Sequence, residues 1–143
     1  MIEENLTRIM AIDFGLKRIG IALSDPLKKF ASPFTTLRND EKLFHNLKKI
    51  IQEKAVEKII LGLPDKSDDS TKSVYKNVLE FKSELEKQFN LEIIMWNETH
   101  TSRIAEQRII DSVKSKKKRQ DKGLIDMHSA AIILSEYLDS IDN

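Results

Sequence analysis

Hydrophobic and polar positions along this chain predict strands at its front, then strands alternating with helices. Residues 8–14 and 18–24 read as two apolar strands joined by Gly15-Leu16-Lys17, a short hairpin-like link with glycine at the turn. Phe34-Thr35-Thr36-Leu37 is a third, shorter strand after Ser32-Pro33. Asp40 reads as an N-cap, and Leu43, Phe44, Leu47, Ile50 and Ile51 follow at helical spacing to an end near Ala55. Lys58-Ile59-Ile60-Leu61-Gly62 is a continuous apolar run, which suits a strand buried on both faces. A polar loop follows over 65–71. A second helix carries Val74, Val78, Phe81 and Leu85 on one stripe, and Leu91–Trp96 forms the next strand. A third helix is predicted over about Thr101–Asp111, and a last one from Ile125-Asp126 through Leu138. Hairpin strands followed by strand–helix alternation give an α/β domain: a mixed sheet of about five strands flanked by helices. No repeat or linker divides the chain, so one domain is expected over residues 1–143.

Composition narrows the class. The 143 residues are 40% hydrophobic and 33% charged, in the range of a folded globular protein. No run approaches the roughly 20 apolar residues of a membrane span, and the acidic start Met1-Ile2-Glu3-Glu4-Asn5 lacks a signal core. A cytoplasmic location is expected, with no membrane partner. The absence of cysteine excludes disulfides, thiolate nucleophiles and thiolate-bound zinc. The net charge of +1 says nothing about partners, but its distribution does. Lys114, Lys116, Lys117, Lys118, Arg119 and Lys122 crowd together with only Asp121 opposing them. Such a run is either a contact for a phosphate backbone or a solvated loop.

Three acids stand out. Asp13 lies inside an apolar strand, where a charge is costly unless something cationic meets it. Glu98 follows strand 91–96, at the carboxyl edge where ligands gather in parallel sheets. Asp126 shares a helical face with Ala130, Ile133 and Tyr137, so it faces the sheet; alternatively it is an N-cap or first-turn acid. Convergent acids of this kind suit hard divalent cations. Gly20, inside the second strand, marks a bulge or a close approach to the backbone. Together with Gly15 it reads as room for a phosphate near the ion. Trp96 stacks on a base or belongs to the core.

Four motifs resemble the YqgF family of RNase H-like nucleases, to which pre-16S rRNA processing and kinship with Holliday-junction resolvases are attributed. They are Ala11-Ile12-Asp13-Phe14-Gly15-x-x-Arg18-Ile19-Gly20-Ile21-Ala22, Ile59-Ile60-Leu61-Gly62-Leu63-Pro64, Trp96-Asn97-Glu98 with Thr101-Ser102-x-x-Ala105, and Lys122-Gly123-x-x-Asp126-x-x-Ser129-Ala130-Ala131-x-x-Leu134. The resemblance implies an RNase H-like fold, catalytic and metal-binding acids at Asp13, Glu98 and Asp126, and two Mg²⁺ or Mn²⁺ ions. It also implies a nucleic-acid substrate, here structured RNA, with cleavage at the 5′ end of pre-16S rRNA in the pre-ribosomal small subunit. Lys17, Arg18, Lys114, Lys116, Lys117, Lys118, Arg119 and Lys122 would contact the phosphates. The chain departs from the family where Asn97-Glu98-Thr99 replaces the usual Asp-Glu-Arg, and where Lys66 and Asp68-Asp69 follow Gly-Leu-Pro.

Three other readings stand beside this one. A resolvase of branched DNA would use the same chemistry as a symmetric dimer, whereas the RNA reading fits a monomer or a homodimer. A non-catalytic RNA-binding assembly factor would keep the fold without the reaction. A nucleotide-binding module of the actin-like ATPases also opens on strand, Asp-x-Gly, strand, but such proteins have two related halves.

Overall fold

The computed structural model describes residues 6–63, 72–97 and 122–141. Five strands form one mixed sheet in the order β3-β2-β1-β4-β5. They are β1 (Arg8–Phe14), β2 (Arg18–Ser24), β3 (Ala31–Arg38), β4 (Val56–Leu63) and β5 (Glu92–Asn97). The described helices are α1 (Leu43–Glu53), α2 (Lys72–Gln88) and α3 (Lys122–Ile141). β2 runs antiparallel to both β1 and β3, while β4 runs parallel to β1 and β5. β1, β4 and β5 therefore end at one edge of the sheet. The expected loop over 65–71 and the helix over 101–111 lie outside the described residues.

Strand alternation divides the core into two layers. Met10 and Ile12 of β1, with Ile19, Ile21 and Leu23 of β2, pack against Leu43 and Leu47 of α1 and Val78, Phe81 and Leu85 of α2. The other face presents Ile9, Ala11, Ala22 and Ile60 to Ala130, Ala131, Ile133, Leu134, Tyr137 and Leu138 of α3. The small residues on both sides of this second layer let α3 lie close to the sheet. β4 is buried from both sides, with Ile59 and Leu61 facing one layer and Ile60 the other. Trp96 belongs to the core reading: its ring meets Tyr137 edge-on at 5.8 Å, and its Nε1–H donates to Glu136 at 3.4 Å.

Several boundaries differ from expectation for local reasons. β3 is twice the predicted length and contains Pro33, which an edge strand tolerates because one row of its backbone donors has no ladder to join. α1 starts at Leu43 rather than directly after Asp40. Asp40 instead closes a preceding turn, accepting from the Lys42 amide at 3.0 Å. The helix ends as Ala55 turns to a φ of 52°, a left-handed stop that glycine usually supplies. α3 begins at Lys122, one turn before its predicted start. Among the described residues, no helix is long and apolar enough to cross a membrane.

Candidate active site

The register of the sheet sets the geometry of the site. Asp13 is paired with Gly20 across the β1–β2 ladder, and Gly20 in turn with Thr36 of β3. Paired residues on antiparallel strands point to the same face, here the face that α3 covers. A Cβ at Gly20 would collide with the Asp126 carbonyl and the Met127 amide. The main chain of α3 thus rests on Gly20, one strand spacing (about 5 Å) from Asp13. Thr36 ties down the same helical turn by donating its hydroxyl to the Gly123 carbonyl at 2.6 Å. Gly20 accordingly makes room for a helix, and the expectation that it leaves space for a phosphate is corrected. Gly15 needs no left-handed backbone either; its missing Cβ accommodates the Arg18 carbonyl, 2.5 Å from where that atom would lie.

Asp126 lies one turn inside α3, so the N-cap and first-turn readings are both set aside. Its half-buried carboxylate accepts from the Arg18 guanidinium, Nε to Oδ2, at 2.7 Å. Arg18 opens β2, and its alternation places it on the α3 face with Gly20 and Ala22. The pair joins sheet and helix across 108 residues of sequence. With 37% of the Arg18 side chain and 22% of the Asp126 side chain accessible, its direct worth to stability is at most about 1 kcal/mol. Its structural effect is to fix one oxygen of Asp126, a residue that lines the cleft beside it. That cleft, of about 360 Å³, is lined by Gly15, Leu16, Lys17, Arg18, Val74 and Asp126.

Of the predicted acids, Asp13 and Asp126 are thus neighbours on one face at the carboxyl edge. Glu98 lies outside the described residues; β5 brings the chain to that edge at Asn97, in register with Leu63 at the end of β4. Among the described residues, no three His, Asp or Glu side chains gather closely enough to hold a metal ion. The two placed acids offer hard oxygen donors, which fits magnesium or manganese rather than a soft metal. Lys17 is exposed in the β1–β2 turn, Lys122 is the first residue of α3, and Lys114, Lys116, Lys117, Lys118 and Arg119 lie outside the described residues. The sequence pattern gave no hint of Arg38, which stands opposite Arg18 in the β2–β3 register. No local signal could find it, because register is set by pairing between strands.

Residues 7–140 match the family RuvX, described as Holliday junction resolvase. A protein of Prosthecochloris aestuarii named "Putative pre-16S rRNA nuclease" is 38% identical over 140 residues, covering 97% of this chain and 98% of its own length. A protein of the same name from Christiangramia forsetii is 38% identical over 134 residues, with coverage of 93% and 98%. Two solved structures share the fold. Fowlpox virus resolvase with its Holliday junction DNA superposes with a TM-score of 0.60 at 15% identity, over 96% of this chain and 100% of that one. T. thermophilus RuvC in complex with a Holliday junction substrate gives 0.57 at 8% identity, over 94% of each. At such low identity the likeness concerns architecture, and that architecture is RNase H-like.

Proposed function

The chain belongs to the RuvX family, and on that premise we propose that it is a nuclease hydrolysing phosphodiester bonds in structured RNA, acting in 5′-end maturation of pre-16S rRNA. The observation that carries the reading is the seating of the Asp126 turn on Gly20, directly across from Asp13. The names of the bacterial relatives supply the substrate. In this reading the chain works as one domain over residues 1–143, in the cytoplasm, with the pre-ribosomal small subunit as its partner.

Asp13, Glu98 and Asp126 are the catalytic acids and would hold Mg²⁺ or Mn²⁺, as two ions. When bound, the metal supplies Lewis acidity to the scissile phosphate and makes water a better nucleophile. The chain's own residues set the stage for that chemistry. β1 carries Asp13 rigidly, because its neighbours Met10, Ala11 and Ile12 are fully buried. Arg18 orients the Asp126 carboxylate through Oδ2. Lys17, Lys114, Lys116, Lys117, Lys118, Arg119 and Lys122 meet backbone phosphates and draw the polyanion to the cleft.

Asp13→Asn keeps the shape of the side chain but removes its charge. Cleavage of a pre-16S rRNA fragment should fall by more than about a hundred-fold, beyond what loss of an outer partner of a metal site costs. The circular dichroism spectrum and melting temperature should stay close to wild type. Unchanged cleavage would overturn the assignment. The family's description and the two DNA-bound relatives favour a second reading, resolution of branched DNA by a symmetric dimer. Cleavage of a four-way junction in preference to the rRNA fragment, together with a dimeric mass in solution, would favour it over the first.

A further inference from the structure

A second cleft, of about 500 Å³, also borders the β1–β2 turn and is lined by Leu16, Lys17, Arg18, Arg38, Asn39 and Asp40. It shares Leu16, Lys17 and Arg18 with the cleft beside Asp126. Two arginines face each other across the β2–β3 ladder there, Arg18 and Arg38, an arrangement that is unfavourable unless the charges are met. Asp126 meets Arg18. Among the described residues, neither Arg38 nor Lys17 forms an ion pair, and both are exposed. Asp40, the acid of this cleft, already accepts from the Lys42 amide through Oδ1. The floor is stiff: the Asn39 amide donates to the Lys17 carbonyl and its side-chain Nδ2 to the Gly15 carbonyl, both at 2.9 Å.

These observations divide the cationic groups into one that is committed and two that are available. We propose that Arg38, together with Lys17, forms a phosphate-binding point that takes a backbone phosphate about three nucleotides from the scissile one. The inference rests on the nuclease reading for the position of the scissile phosphate, and it adds a residue and a path to that reading. Arg38 lies two strands from β1, about 10 Å away laterally. A nucleic-acid strand covers that distance in about three nucleotides of helical rise. The planar guanidinium fork suits phosphate oxygens, and the braced turn leaves little backbone freedom to lose on binding. The strand would therefore run from the acid pair over the β1–β2 turn towards the β3 edge.

The test is binding without catalysis. The affinity of a fluorescein-labelled RNA hairpin is measured by anisotropy in EDTA over a salt series, for wild type, Arg38→Gln, Arg38→Lys, Lys17→Ala and the control Lys87→Ala in the last turn of α2. Loss of one phosphate contact should lower the slope of log K against log salt by about one in Arg38→Gln and in Lys17→Ala. Arg38→Lys should keep the wild-type slope, and so should Lys87→Ala, which removes one charge elsewhere. An unchanged slope in both Arg38→Gln and Lys17→Ala, an equal loss in Lys87→Ala, or a wild type that does not bind the hairpin overturns the proposal. Cleavage plays no part in this readout. Failure of the nuclease reading, seen as full cleavage by Asp13→Asn, is therefore distinguishable from failure here.

Discussion

A methyl group added at Gly20 would meet the Asp126 carbonyl and the Met127 amide, main-chain atoms that no rotamer change can move aside. Relief would require lifting the first turns of α3 from the sheet. Overpacking of this kind typically costs about 1–3 kcal/mol. Gly20→Ala should lower the unfolding free energy from urea titration by that amount, and its cleavage rate should fall further than the folded fraction accounts for, because Asp126 moves away from Asp13. Wild-type stability together with wild-type cleavage would show that the helix does not need this contact. The sequence singled out Asp13 as a candidate acid, since a carboxylate that follows Ile9-Met10-Ala11-Ile12 in one strand has no reason to be there as core. The role of the glycine was half legible: a close approach was foreseen, but a helix rather than a ligand makes it.

Among the elements, the loop from β2 to β3 shows how one side chain shapes a connection. The Asp25 carboxylate accepts from the amides of Leu27, Lys29 and Phe30 at 3.2, 2.9 and 2.7 Å. These bonds, that from Phe30 foremost, hold its pKa below the usual 3.8. A carboxyl with a lowered folded pKa adds stability above its unfolded value, and that stability is lost as pH falls through the folded one. Asp25→Asn should therefore flatten the acid limb of stability, read as urea midpoints from neutral pH to below about pH 4. An acid limb as steep as wild type would remove Asp25 as its source. Strand periods and the apolar stripes of α1 and α2 were read correctly from local pattern. The ends were harder, because they depend on contacts beyond the element. β3 gains length from pairing with β2, and α3 gains its first turn where Gly123 takes the Thr36 hydroxyl.

At the scale of the whole molecule, the sheet divides two apolar layers, and the site lies where the layer under α3 reaches the carboxyl edge. Ile60, fully buried on β4, packs in that layer with Ala11, Ala22 and the apolar face of α3. Ile60→Ala should cost about 2–5 kcal/mol in urea unfolding, as truncations in tightly packed cores do. A cost below about 1 kcal/mol would mean that the layer collapses around the cavity. By itself the sequence determined the strand and helix periods, the mixed five-stranded α/β class and the family, and it singled out Asp13, Glu98 and Asp126 as candidate acids. These follow from side-chain direction along a local backbone and from motifs kept in order. The tertiary structure alone decided that Asp13 is opposite Gly20, that α3 fills the gap, that Arg18 is committed to Asp126, and that Arg38 stands opposite Arg18 with no ion pair among the described residues. Register and helix seating arise from packing between segments as much as 108 residues apart, and no local pattern encodes which of them will touch.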